Sequence, residues 1–95
     1  MTKRKHVKIR RKACTAKLGR IFAAERGRLP DAAYGLPSRR KYPLYRVAGN
    51  RAIASRSHAV TAKGRALQQL GHTIDAREYA TIIRRADRVI RLCDA

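Results

Sequence analysis

The sequence predicts a mainly α fold in which a basic extended N-terminal arm and an irregular Pro/Tyr-rich connector lead into a C-terminal antiparallel helical hairpin. Three observations carry that expectation. Small and apolar residues recur at helical spacing from Ala52 onward, all three prolines (Pro30, Pro37, Pro43) fall within fourteen positions, and seven of residues 2–12 are Lys or Arg. The corresponding division is 1–28 for the basic arm with a short helix, 29–46 for the proline-braced connector and 47–95 for the hairpin, all in a single small domain.

The charge constrains what the chain can do. Its 24 Lys and Arg against 6 Asp and Glu give a formal charge of +18. Self-repulsion of that size disfavours a compact monomer and asks for an anionic counterpart. The demand is concentrated early: residues 1–46 carry 15 basic and 2 acidic side chains, residues 47–95 carry 9 and 4. Of the apolar residues 16 are alanine, and Leu, Ile, Val and Phe together number only 19. A thin core is expected.

In the arm, Lys3, Arg4, Lys5, Lys8, Arg10 and Arg11 are candidates for binding phosphates or an acidic surface, since each such contact releases counterions. The alternative is a solvated charge run. No apolar h-region follows the basic start and no apolar run approaches a membrane span, so neither a secretory signal nor a membrane partner is expected. Leu18, Ile21 and Phe22 fall at i, i+3 and i+4, which predicts a short amphipathic helix within Ala13 to Arg26 whose Phe22 packs on the later helices.

The connector, LPDAAYGLPSRRKYPL from Leu29 to Leu44, is incompatible with a long helix or a central strand, because each proline fixes φ and lacks a donor. Asp31 can start a turn, and Gly35 frees the backbone before Leu36-Pro37. Tyr34, Tyr42 and Tyr45 flank the basic triplet Arg39-Arg40-Lys41, and two roles fit. One is a stacking platform for a single strand, with the cations on phosphates. The other makes Tyr34, Leu36, Pro37, Tyr42 and Tyr45 packing anchors on the helical core or on a neighbouring subunit.

Leu29, Pro30, Asp31, Tyr34, Leu36, Pro37, Arg40, Tyr42 and Pro43, followed by Ala52-Ile53-Ala54, resemble a short region found in many bacteriophage proteins. The likeness covers residues 29–56. It departs where the pattern has an acidic residue and a histidine before its helix, since this chain has Arg46 and Ala48-Gly49. The resemblance implies a virion context, a head or capsid-associated protein, and brings no catalytic residue with it.

Downstream, Ala52-Ile53, Ala59-Val60 and Ala66-Leu67 recur every seven residues, which predicts a helix from Asn50 as N-cap to Leu70, stopped by Gly71. Asp75 and Glu78 form a capping-box pair opening a second helix. Tyr79, Ile82, Ile83, Ala86, Ile90 and Cys93 share one face of it, and Arg77, Arg84, Arg85, Arg88 and Arg91 crowd the other.

Catalytic and metal chemistry find no pattern. Ser55, Ser57 and His58 lack a nucleophile elbow, and there is no G-x-x-x-x-G-K loop. His6, His58, His72, Cys14 and Cys93 lack zinc-site spacing, so no metal or cofactor is implied. Two cysteines 79 positions apart read most simply as reduced thiols, an interchain disulfide being the alternative. The expected function is therefore non-enzymatic. The first reading is a phage minor capsid or cement component, sited in the virion after assembly in the host cytoplasm, that stabilises a large assembly by binding a major capsid or other shell protein. The second is a sequence-nonspecific binder of genomic DNA or of RNA, a nucleoid-like compactor or ribosome-type protein.

Overall fold

Local capping sets the two long helices. In the computed structural model, which describes residues 6–95, Asp75 Oδ1 accepts the Glu78 N–H at 2.8 Å and Glu78 Oε1 accepts the Asp75 N–H at 3.0 Å. This closed capping box opens α3 (Ala76–Asp94). The preceding helix, α2 (Arg56–Gln69), is capped by Ser55, whose Oγ accepts the His58 N–H at 3.4 Å. Gly71 turns the chain at φ +83, and the two helices pair antiparallel. Arg56 bonds Asp94 and Lys63 bonds Asp87, at 2.8 and 2.7 Å, stepping forward on one helix and backward on the other.

The helix expected from Asn50 starts later. Arg51–Ser55 is a strand, β5, paired antiparallel with β4 (Tyr45–Ala48) through a two-residue turn at Gly49-Asn50. Gly49 sits at φ +62, so Asn50 is a turn residue rather than a cap. On α2 the alanines Ala59, Ala62 and Ala66 are buried, and the larger Val60 and Leu67 point outward. The alanine face permits close approach to α3, whose Ile82, Ala86 and Val89 are buried.

Part of the basic arm is also a strand. β1 (Lys8–Thr15) lies parallel to β5, Lys8 opposite Arg51 and Thr15 opposite Ser55, giving the sheet order β1-β5-β4. Its register shifts between Ile9 and Cys14, where Lys12 takes a left-handed φ of 56. A parallel pair needs a long crossover, and residues 16–50 supply it. The molecule is therefore a mixed α/β fold, not the mainly α one that the sequence suggested. A helix does form inside the predicted 13–26 region and just beyond, but as α1 (Ala23–Arg28), too late to include Leu18, Ile21 or Phe22.

The proline-braced connector is more regular than expected. Two 3-10 turns, Asp31–Ala33 and Pro37–Arg39, flank β2 (Tyr34–Leu36), which pairs antiparallel with β3 (Lys41–Pro43). The prolines fit because each lies at a boundary: Pro30 caps the first turn, Pro37 begins the second and Pro43 ends β3. Leu44 joins the two sheets, its N–H bonded to the Ala33 carbonyl at 2.8 Å and its carbonyl accepting the Ser55 N–H at 2.9 Å.

One core cluster gathers Leu36, Tyr42, Leu44 and Ala54 with the inner faces of α2 and α3. A second holds Val7, Leu29, Ala33, Tyr34, Val47 and Ala52, and Tyr45 packs against both. A disulfide closes the perimeter: Cys14 on β1 is bonded to Cys93 on α3, their Cα atoms 5.4 Å apart. The cysteines are thus neither reduced nor interchain. Strand pairing across 40 or more positions and a disulfide across 79 bring together residues whose sequence separation gave no hint of contact.

Candidate nucleic-acid interface

Every acidic side chain is already engaged. Glu25 pairs with Arg46, Asp31 with Arg40, Glu78 with Arg39, Asp87 with Lys63 and Asp94 with Arg56, while Asp75 caps α3. Of the 21 Lys and Arg among the described residues, only those five have a carboxylate partner, and sixteen do not. Their charge can be met only from outside the described fold.

These cations are ordered by two elements. On the outer strand β1, Lys8, Arg10, Arg11 and Lys12 are exposed, lining a sheet edge with positive charge. On α3, Arg77, Arg84, Arg88 and Arg91 are exposed and fall within one narrow stripe, at i, i+7, i+11 and i+14. The Cys14–Cys93 bond ties the end of that helix to that strand.

The sequence-predicted residues divide between surface and interior. Lys3, Arg4 and Lys5 lie outside the described residues, whereas Lys8, Arg10 and Arg11 are exposed on β1. Arg39 and Arg40 are occupied internally. Arg39 Nη1 donates to the Thr73 carbonyl and to Glu78 at 2.8 and 3.1 Å. Arg40 bonds Asp31 at 2.6 Å and the Arg26 carbonyl at 2.7 Å, and lies 4.7 Å from the Tyr34 ring centre. Lys41 is half-buried beside the Tyr42 ring.

Tyr34, Leu36 and Tyr42 are buried, and Pro37 and Tyr45 half-buried, within the chain's own core. Of the two roles open to the tyrosines, packing on the chain's own core is the one this geometry uses. Tyr34 Oη donates to the Arg26 carbonyl at 3.1 Å, and Tyr42 Oη bonds Gln69. Burial pushes the Tyr45 phenol up, against the opposing charges of Arg85 and Arg88. Arg85 itself donates to the carbonyls of Tyr34 and Ala32, at 2.9 and 2.7 Å, fastening α3 to the β2 corner.

Two features escaped the sequence reading. The first is the clamp on the 16–22 loop. Arg46, 4% exposed, donates from Nε and Nη2 to Glu25 and from Nη1 to the carbonyls of Leu18 and Gly19. Gly19 takes φ +105 there, a conformation that side chains other than glycine's rarely tolerate. The Val47 N–H adds a third bond to the Glu25 carboxylate at 2.9 Å. Burial raises the Glu25 pKa, but the Arg46 and Val47 hydrogen bonds and the charges of Arg46 and Lys17 outweigh it, leaving the group below its ordinary value. A signal was present: Glu25 is the first acid in a strongly basic half, and such a residue should find a cation.

The second is a groove of about 1080 Å³ between that loop and α2. Leu18, Phe22 and Tyr42 give it apolar walls, Arg20, Arg26 and Arg65 give it charge, and no Asp or Glu lines it. Phe22, expected to pack on the helices, is 67% exposed, because the loop ends in an extended residue that turns it outward before α1. His58 also borders the groove, with Nδ1 2.8 Å from Ser55 Oγ and Nε2 3.1 Å from the Gly19 carbonyl. The Nε2–H tautomer satisfies both contacts. Desolvation and the charge of Arg46 depress its pKa. Ser55 is fully buried, so this Ser–His contact braces the loop and presents no nucleophile to solvent.

Among the described residues no group of three or more His, Cys, Asp or Glu is placed to hold a metal ion, and no helix is long and apolar enough to cross a membrane. Comparison with protein-family models, with curated proteins and with solved structures finds no match to this chain.

Proposed function

We propose that this chain is a non-enzymatic, sequence-nonspecific nucleic-acid-binding protein. The observation that carries the reading is the internal consumption of all six acids, which leaves sixteen described cations without a carboxylate. Phosphate supplies the matching charge at high density, and Lys and Arg contacts to it are indifferent to sequence. The sheet edge at β1 and the arginine stripe of α3 are the surfaces for it. Binding of the full chain to a fluorescent DNA duplex, measured across salt, tests the reading. Neutralising Lys8, Arg10, Arg11 and Lys12 to Gln is expected to lower the slope of log K against log salt by about one for every phosphate no longer bound. Affinity that is independent of salt would overturn it.

A second reading, a phage minor capsid or cement component, draws on the resemblance of residues 29–56 and on the exposed Val60 and Leu67, one face of α2 on either side of Gly64. It places the protein in a virion, against a shell protein, with α2 supplying the contact in place of the buried tyrosines. Recovery of the protein from its native source after nuclease treatment in about 0.5 M salt, which screens phosphate contacts, separates the two. Retention with one abundant repeating protein favours the shell, and release favours nucleic acid.

A further inference from the structure

The groove between the 16–22 loop and α2 has features that a solvated face does not need. Phe22, the chain's single phenylalanine, is 67% exposed, and Leu18 is 73% exposed. The Arg20 guanidinium lies 5.8 Å from the Phe22 ring centre. Arg65 projects from α2 into the same groove and has no hydrogen-bond or ion-pair partner among the described residues. Arg26 spends one bond on the Arg40 carbonyl, at 3.3 Å, and stands 5.6 Å from the Tyr34 ring centre. The loop is not slack: Arg46 and His58 hold the Leu18 and Gly19 carbonyls from behind, so the aromatic ring is presented from a fixed backbone.

We propose that this groove takes unpaired nucleotides of a single-stranded nucleic acid, with a base stacked on Phe22 and the flanking phosphates held by Arg20, Arg26 and Arg65. The inference rests on the nucleic-acid reading above and adds a strand preference to it. Charge selects an anion, because three guanidinium groups line the groove and no carboxylate does. The exposed ring selects the kind of anion, since every base has a π face that can cover it while cations beside the ring take the flanking phosphates. Duplex DNA has its bases stacked inward and would engage the cations without covering Phe22. The volume, about 1080 Å³, lies just above the range usual for small-ligand pockets and has room for a short run of backbone.

The test compares the full chain with Phe22→Ala, a substitution at an exposed position that leaves the core intact. Two probes are used, an oligothymidine carrying one 2-aminopurine and a hairpin duplex of equal charge. The wild type is expected to quench 2-aminopurine fluorescence on binding, the signature of stacking. Phe22→Ala should lose that quenching and about 5- to 150-fold of single-strand affinity, with duplex affinity unchanged. Arg65→Gln should weaken single-strand binding and lower its salt slope by about one. If the wild type binds both probes and Phe22→Ala alters neither affinity nor quenching, the groove assignment falls while the nucleic-acid reading stands. If the wild type binds neither probe, both fall. Displacement of the oligonucleotide by a poly-glutamate peptide at equal charge, with no quenching beforehand, would also overturn the assignment in favour of an acidic peptide.

Discussion

Arg46 grips Glu25 with two parallel hydrogen bonds, Nε to Oε2 at 2.8 Å and Nη2 to Oε1 at 3.0 Å, beneath a loop that both residues help to hold. The bidentate geometry makes the pair sensitive to shape as well as charge. Glu25→Gln leaves the Arg46 guanidinium buried with only carbonyl acceptors, and Arg46→Met leaves the carboxylate with the Val47 N–H alone. Either change is expected to cost about 3 kcal/mol, the lower end for breaking a buried pair, because the Glu25 side chain keeps 17% exposure. The midpoint of urea unfolding reads it. In a double-mutant cycle the pair should cost less than the sum of the single changes. Strict additivity would mean that the two side chains act independently.

The groups that hold this loop carry two distinct pH dependences. Glu25 titrates below its ordinary value when folded, so its contribution is complete above the unfolded carboxylate pKa of about 4.5 and is lost as pH falls through the lower folded value. His58 is also depressed, but for a base this means that the unfolded chain binds the proton first. Its contribution is complete above about pH 6.5 and is lost as pH falls from there to the folded value. Stability should therefore decline in two steps on acidification. His58→Gln should remove the upper step and Glu25→Gln the lower, in chemical denaturation followed from pH 8 to 3.

The disulfide should be an intramolecular staple of a large loop. Cys14 and Cys93 enclose nearly the whole chain, 79 positions apart. On the loop-entropy account, closure of that length contributes about 4.5 kcal/mol by restricting the unfolded chain. Thiol titration of the denatured, non-reduced protein should find no free cysteine, and Cys14→Ser with Cys93→Ser should lower the unfolding free energy from urea denaturation by that amount without altering the oligomeric state. Free thiols, or a dimer on a non-reducing gel that reductant dissolves, would contradict the pairing. Cys14 is exposed, so mild reductant should reach the bond without prior unfolding.

What the sequence disclosed and what it concealed follow from the range of each interaction. The start of α3 was legible because Asp75 and Glu78 cap each other across three residues. β1 was not, for its eight residues KIRRKACT lack the alternation that marks a strand, and its pairing partners on β5 lie 40 or more positions away. Arg51–Ser55 read as helix because alanine tolerates helical spacing and a buried strand equally. The discriminating signal was Gly49-Asn50, a two-residue hairpin turn between Val47-Ala48 and Arg51-Ala52. At the interface, charge excess was visible in composition. Which cations remain without a carboxylate was not, since Arg39 and Arg40 look like β1's basic residues until Glu78 and Asp31 are brought beside them.

Gly35 offers the most local check of how β2 meets α3. A Cβ at this position would stand 3.2 Å from Ile82 Cγ2 and 3.4 Å from both Cβ and the carbonyl oxygen of Tyr42. Ile82 is fully buried, and Cγ2 is fixed to a branched Cβ, so neither it nor the strand backbone can yield cheaply. Gly35→Ala would gain several tenths of a kcal/mol by restricting the unfolded chain. Overpacking costs more, and a net loss of about 1 kcal/mol is expected. Leucine lacks the β-methyl that obstructs the new atom, so Ile82→Leu should relieve the clash, and Gly35→Ala should cost less in that background than alone. An equal cost in both would place the strain against Tyr42 instead, on the facing strand β3 of the small hairpin rather than at its contact with α3.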